Sequence, residues 1–249
     1  MLDKPNTQLD ILVQETQLLN FRSPSIRQLT EQRNWVKLSS FDRAGAVYDF
    51  VRNEILFGYN TEDNIPASQV LADGIGQCNT KGTLLMALMR AVGIPCRLHG
   101  FTIHKSLQRG VVPELIYKIA PDNILHSWVE VYLDGRWINL EGFILDDAFL
   151  IALQKQFAPK RQSLCGYGVG TNCLSTPQVK WNGQDTYIQK TGINNDFGTY
   201  ESPDVFYAEH MQAFSPLMKL LYQNAIRHVM NWKTNRIRAG FIPSIPLSD

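Results

Sequence analysis

Gly76-Gln77-Cys78-Asn79-Thr80-Lys81-Gly82-Thr83-Leu84-Leu85-Met86-Ala87-Leu88-Met89-Arg90-Ala91-Val92 is the stretch that organises this chain. From Asn79 onward Leu84, Leu85, Leu88, Ala91 and Val92 fall at offsets of one, three and four, the apolar stripe of an amphipathic helix, and Gly93 with Pro95 ends it. Cys78 therefore opens a helix. The unpaired N–H groups and the dipole at such an end favour negative charge, which suits the thiolate, the form of cysteine that attacks carbonyls. A cysteine in mid-helix gains nothing of the kind, and the plain alternative is a small buried hydrophobe.

A second segment, Leu125 to Glu141, gives Cys78 a partner. It reads as two strands joined by Asp134-Gly135, a dipeptide suited to the type I′ turn of a two-residue hairpin. Counting back from the turn sets Leu133 opposite Arg136, Tyr132 opposite Trp137, Trp128 opposite Glu141 and His126 opposite Phe143. Alternation then puts His126, Trp128, Glu130, Asn139 and Glu141 on one face, with Glu141 diagonal to His126 at roughly 7–8 Å between backbones. A glutamate side chain spans that gap. It would fix the imidazole tautomer and leave the other ring nitrogen for Cys78, the division of labour of a nucleophile, base and orienting acid. A three-residue turn would reverse the faces and dissolve the arrangement.

These residues also carry a resemblance. Ala67-Ser68-Gln69-Val70-Leu71, Gly74-Ile75-Gly76-Gln77-Cys78, the run Leu84 to Arg97, His126-Ser127-Trp128-Val129-Glu130-Val131-Tyr132, Gly135-Arg136-Trp137 and Glu141 resemble the core of the transglutaminase-like superfamily over about the middle third of the chain. The resemblance implies an α+β, papain-like fold, with a nucleophile helix packed on an antiparallel sheet, and a Cys-His-Asp triad. Carried over residue by residue, Cys78 is the nucleophile and His126 the general base. The third position departs from the family's usual Asp and is Glu141, with Asp146 and Asp147, then Asn139, as substitutes. For the oxyanion hole the Cys78 N–H is one expected donor, and Gln77, Tyr59 and Trp128 are candidates for another.

The implied chemistry is attack on a carboxamide or peptide carbonyl and a thioester acyl-enzyme. Water as acceptor makes a hydrolase, a peptidase or amidase, and is the preferred reading because it needs no second binding site. An amine acceptor makes an acyltransferase, a transglutaminase in the strict sense, and a non-catalytic binding module on the same fold is the alternative from another class. No cofactor is expected, and the partners are a protein, peptide or small amide substrate.

Composition bounds the rest. The 249 residues, 44% hydrophobic, suffice for one substantial core. The expected divisions are a helical part over 1–60, the catalytic core over 61–155 and an extension over 156–249, turn-rich and then helical. Within them Phe41 to Leu56 reads as a helix with Ser39 and Asp42 spaced as a cap, Cys96 to Ile103 as a strand, and 105–124, with two prolines, as a loop or lid. Pro216 to Arg236 reads as helix. The balance of 24 basic and 23 acidic residues provides no global field for nucleic acid. Met1-Leu2-Asp3-Lys4-Pro5 shows no basic region with an apolar core, no run approaches a membrane span, and four cysteines suit a reducing compartment. The expectation is a cytoplasmic protein without integral membrane association. Cys96, His99 and His104 are closely spaced, but alternation sends Cys96 and His99 to opposite faces, so no metal site is expected. Gly166-Tyr167-Gly168-Val169-Gly170 lacks the following helix of a phosphate loop and reads as a turn-rich lid. Arg227, His228, Lys233, Arg236 and Arg238 read as a solvated face.

Overall fold

The computed structural model describes residues 7–211 and 215–246, so the opening Met1-Leu2-Asp3-Lys4-Pro5 lies outside the described residues. Its centre is the helix Cys78–Ala91, buried on every side from Cys78 to Arg90 rather than along one stripe. The helices Ser40–Asn53 and Ala67–Asp73 and the main sheet all contact it. A helix enclosed in this way has no solvent face for its polar residues, so each needs an internal partner. Lys81 Nζ donates to the carbonyls of Arg52 and Ile144, and Arg90 to those of Gln14, Cys96 and Glu201. Ser127 Oγ donates to Asn79 Oδ1 at 2.9 Å, which pins the helix to the sheet. Gly82 faces Val129 and Phe143, and a Cβ there would make ordinary contact with both at 3.7 Å.

The sheet is antiparallel throughout, in the order Arg136–Leu140, Asn123–Leu133, Cys96–His104, Ile193–Tyr200. Asp134 and Gly135 take φ of 50° and 80°, the left-handed pair a type I′ turn requires, and Leu133 pairs with Arg136 and Tyr132 with Trp137. The ladder ends at Val129 with Leu140, so Glu141 leaves it and is held instead by the backbone of Thr186, at 3.0 Å. Phe101 pairs with His126, His99 with Trp128 and Arg97 with Glu130, placing these six side chains on one face. Together these elements make an α+β arrangement of a helix packed on an antiparallel sheet.

Other elements refine the expectations. Ser39 caps its helix by accepting from Asp42 N at 3.1 Å. That helix stops at Asn53, since Leu56–Phe57 pairs in parallel with Ile75–Gly76. Phe41, in the first turn, is 43% exposed, its ring against Trp181. Residues 105–124 are not one loop: Lys105–Gln108 is a 3-10 turn, Glu114–Ile119 a helix, and the strand already begins at Asn123. Pro113 sits at the N-cap of that helix, where its missing N–H costs nothing, so the proline starts an element there. Gly166 and Gly168 bracket a hairpin between Leu164–Gly166 and Val169–Thr171, anchored by the fully buried Tyr167. The Pro216 to Arg236 helix is broken by a π-turn at Tyr222–Ile226 and runs on to Arg238.

The last third of the chain is fastened to the first. Asn231 accepts from Tyr59 N–H at 2.7 Å and donates to its carbonyl at 3.0 Å. Arg238 joins Asp146 at 2.8 Å and donates to the Phe57 carbonyl. The helix Pro203–Glu209 presses Phe206 against Gly100 of the sheet, where an added Cβ would meet the ring at 2.3 Å. Gly100→Ala is accordingly expected to destabilise the fold by about 1–3 kcal/mol, a loss read as a lower melting temperature.

Candidate functional site

Cys78 owes its position to what flanks it. Gln77 precedes the helix in extended backbone, with its N–H donating to Thr80 Oγ1 at 3.1 Å. Asp63, from the preceding loop, accepts from Gln77 Nε2 at 2.7 Å and from Asn79 Nδ2 at 3.1 Å, so one carboxylate clasps the residues on either side of the sulfur. Burial pushes the Asp63 carboxyl up, while those two hydrogen bonds pull it down. Cys78 itself is 6% exposed at the first turn of its helix.

The imidazole of His126 is fully buried and its nitrogens are divided. Nε2 donates to Glu141 Oε1 at 2.8 Å. Nδ1 has no hydrogen-bond partner among the described residues, and Cys78 acts electrostatically on the ring. Burial is the largest influence on this imidazole and opposes its charge. The charge and hydrogen bonding of Cys78, followed by the hydrogen bond and charge of Glu141, outweigh it and raise the ring to about 10. Glu141 is also fully buried, and its other oxygen accepts the N–H groups of Ile188 and Gln189 at 2.8 and 2.9 Å. A carboxylate so enclosed is stable as an anion only with such a full set of donors.

The substitutes for Glu141 are engaged elsewhere. Asp146 caps the helix Asp147–Phe157 and pairs with Arg238; Asp147 pairs with Arg52; Asn139 bonds Asp185 and Tyr187. Among the candidate oxyanion donors, Gln77 gives its amide to Asp63 and Tyr59 gives its hydroxyl to Gln108. Trp128 keeps its indole N–H buried without a partner, its ring against Phe101 and His99. His99 is held by Glu130 and Asp196 at 2.7 and 2.8 Å, while Cys96 turns to the carbonyl of Met86. All four cysteines are free thiols.

Sequence reasoning passed over Asp63, the amides of Ile188 and Gln189, and Tyr207. Asp63 lies in a polar loop without periodicity, and a backbone donor has no residue-type signature. Tyr207, on the helix Pro203–Glu209, is 6% exposed and within electrostatic reach of Cys78 and Asp63.

The raised His126 has a consequence for stability. Its folded pKa, about 10, lies above the ordinary 6.5, so the protonated ring stabilises the fold fully below pH 6.5, and that contribution disappears as pH rises through about 10. Denaturant titrations are expected to show stability falling over that interval, with a shallower fall in Cys78→Ser. An NMR midpoint for His126 near 6.5 would contradict the electrostatics described.

Among curated proteins none matches the chain. A solved structure of a candidate cysteine protease from Cytophaga hutchinsonii is similar at 12% identity and a TM-score of 0.46, over 90% of this chain and 51% of that one, so this chain spans about half its length. No helix among the described residues is long and apolar enough to cross a membrane. The family model of the transglutaminase-like superfamily matches residues 27–142, which take in the Cys78 helix, the His126 strand and Glu141. Over those residues the chain is similar to the transglutaminase-like superfamily.

Proposed function

We propose that the protein is a cysteine enzyme that hydrolyses a carboxamide or peptide bond, with Cys78 as nucleophile, His126 as base and acid, and Glu141 as the group that orients His126. The observation that carries this reading is the division of the imidazole, with Nε2 bound to a buried carboxylate and Nδ1 unpartnered in a ring on which Cys78 acts. An ordinary buried structural histidine satisfies both nitrogens, and an unpaired one is a cost without a return unless it serves chemistry.

In the proposed reaction the Cys78 sulfur, its proton on His126, bonds to the substrate carbonyl carbon. The tetrahedral intermediate collapses as the C–N bond breaks and His126 passes its proton to the leaving nitrogen, giving a thioester. His126 next takes a proton from water, whose oxygen attacks the thioester and releases the acid and the thiolate. Throughout, Glu141 compensates the imidazolium and keeps Nδ1 facing the sulfur, while the amides of Ile188 and Gln189 keep Glu141 in place. Water is favoured as acceptor because the sulfur is 6% exposed, which leaves little room for an amine beside the acyl group.

Thiol labelling tests the reading, and Cys173 supplies an internal standard. Hydrogen bonds from Thr176 and Ser175 hold the Cys173 thiol below its usual range, and it is partly exposed, so it labels for reasons unrelated to His126. Iodoacetamide at neutral pH is expected to alkylate Cys78 despite its burial. His126→Ala is expected to slow that reaction about 100-fold while leaving Cys173 unchanged. Equal slowing at both sites, or no labelling of Cys78, would remove the nucleophile. Offering a primary amine beside water to the trapped acyl-enzyme separates the two acceptors, since an amine-coupled product cannot arise from hydrolysis alone.

A further inference from the structure

Every residue within two positions of Cys78 is hydrogen-bonded to one short segment, residues 58–63. The Gly58 N–H donates to the Gly76 carbonyl at 3.0 Å, Asp63 accepts from Gln77 and Asn79 at 2.7 and 3.1 Å, and Asn60 Oδ1 accepts from Thr80 Oγ1 at 2.7 Å. The start of the Cys78 helix is therefore only as fixed as that segment. Its own support comes from the far end of the chain. Leu56 and Gly58 spend their N–H groups on Gly74 and Gly76 in the parallel pairing, so alternation turns the backbone groups of Phe57 and Tyr59 outward, to an edge that has no third strand among the described residues. Side chains take the place of that strand. Asp146 accepts from the Phe57 N–H at 2.9 Å, Arg238 donates to the Phe57 carbonyl, and Asn231 both accepts from the Tyr59 N–H at 2.7 Å and donates to the Tyr59 carbonyl at 3.0 Å.

We infer that Asn231 is a positioning residue for Cys78, acting through Tyr59 and the segment 58–63; this rests on the nucleophilic reading of Cys78. The side chain suits the task, because its planar amide offers a donor and an acceptor together and so matches the N–H and C=O of a single residue as a neighbouring strand would. Its seat is close. A Cβ on Gly58 would lie 3.0 Å from Asn231 Oδ1 and 3.2 Å from the Ile75 side chain, so the amide, the strand and the residues leading to Cys78 lie in direct succession. The other supports of the segment bear on it less. Lys219 meets Glu62 at 2.9 Å with both side chains substantially exposed, where an ion pair contributes little, and Arg238 and Asp146 hold Phe57, two residues farther along the chain from Asn60. A displacement of about an ångström at a nucleophile is enough to spoil its attack, which is how a residue remote from the reacting atoms governs rate.

Alkylation by iodoacetamide, read at Cys78 and Cys173 together in the full-length protein, tests the assignment. Asn231→Leu keeps the bulk and removes both hydrogen bonds to Tyr59; it is expected to slow alkylation of Cys78 about 10-fold and to leave Cys173 unchanged. Adding His126→Ala separates positioning from stability. If Asn231 works by aligning the sulfur with His126, Asn231→Leu costs less than about twofold once His126 is replaced, whereas a general loosening of the fold acts equally in both backgrounds. Ile26→Ala, which opens a cavity at a fully buried position of the helix Pro24–Arg33, lowers the melting temperature by another route and is expected to leave alkylation of Cys78 within about twofold of the parent. Where Asn231→Leu does not fold, Asn231→Asp keeps the acceptor for the Tyr59 N–H, loses the donor to the carbonyl, and carries the same comparison with a slowing of about threefold. Unchanged or faster alkylation in the Asn231 variants, equal slowing with and without His126, or matching slowing in Ile26→Ala overturns the assignment. A parent protein whose Cys78 does not react at all sinks the nucleophile itself, an outcome distinct from any of these.

Discussion

A negative charge buried without solvent is the constraint around which the molecule is built. Glu141 is fully buried, and every donor that makes its carboxylate tolerable comes from elsewhere: His126 on the neighbouring strand, and the amides of Ile188 and Gln189 far along the chain. Removing any one leaves the buried carboxyl group short of a donor where no water can replace it. The sheet edge, the Thr186 backbone contact and the crossing of the last third of the chain over the hairpin all follow from keeping those groups together.

The opposite end of the site is built by the same logic with smaller charges. A helix buried all round must satisfy its first N–H groups and its polar side chains internally. Asp63 and Thr80 do this at the helix start, Arg52 and Ile144 receive Lys81 one turn on, and Cys78, which acts electrostatically on His126, opens the helix. Burial pushes the Lys81 ammonium down, yet two carbonyls and the nearby Asp146 keep it from being an isolated charge. Structural polarity and candidate chemistry thus occupy the same helix, separated by about one turn.

How much of this was legible in the sequence depended on whether the signal was local. The hairpin register followed from Asp134-Gly135 because a two-residue turn leaves no freedom in the pairing. The Cys78 helix was readable from its apolar spacing and from Gly93, and Ser39 from its distance to Asp42. What was hidden was non-local. Nothing near Glu141 announces that residues 188 and 189 supply its donors, and nothing near Tyr207 refers to Cys78. The periodicity of the Cys78 helix suggested one buried face, but tertiary packing covered the polar residues as well. Prolines misled in 105–124, where Pro113 begins a helix in a stretch read as loop.

The distance along the chain between Glu141 and its amide partners also sets an order of events during synthesis. The sulfur and the imidazole emerge from the ribosome well before Ile188 and Gln189, and for that interval the carboxylate has no fixed seat. A nascent chain therefore holds Cys78 and His126 before the amides that seat Glu141 exist. The carboxylate that holds His126 is seated only once Ile188 and Gln189 have been added, so the alignment of His126 waits on a part of the chain remote from it.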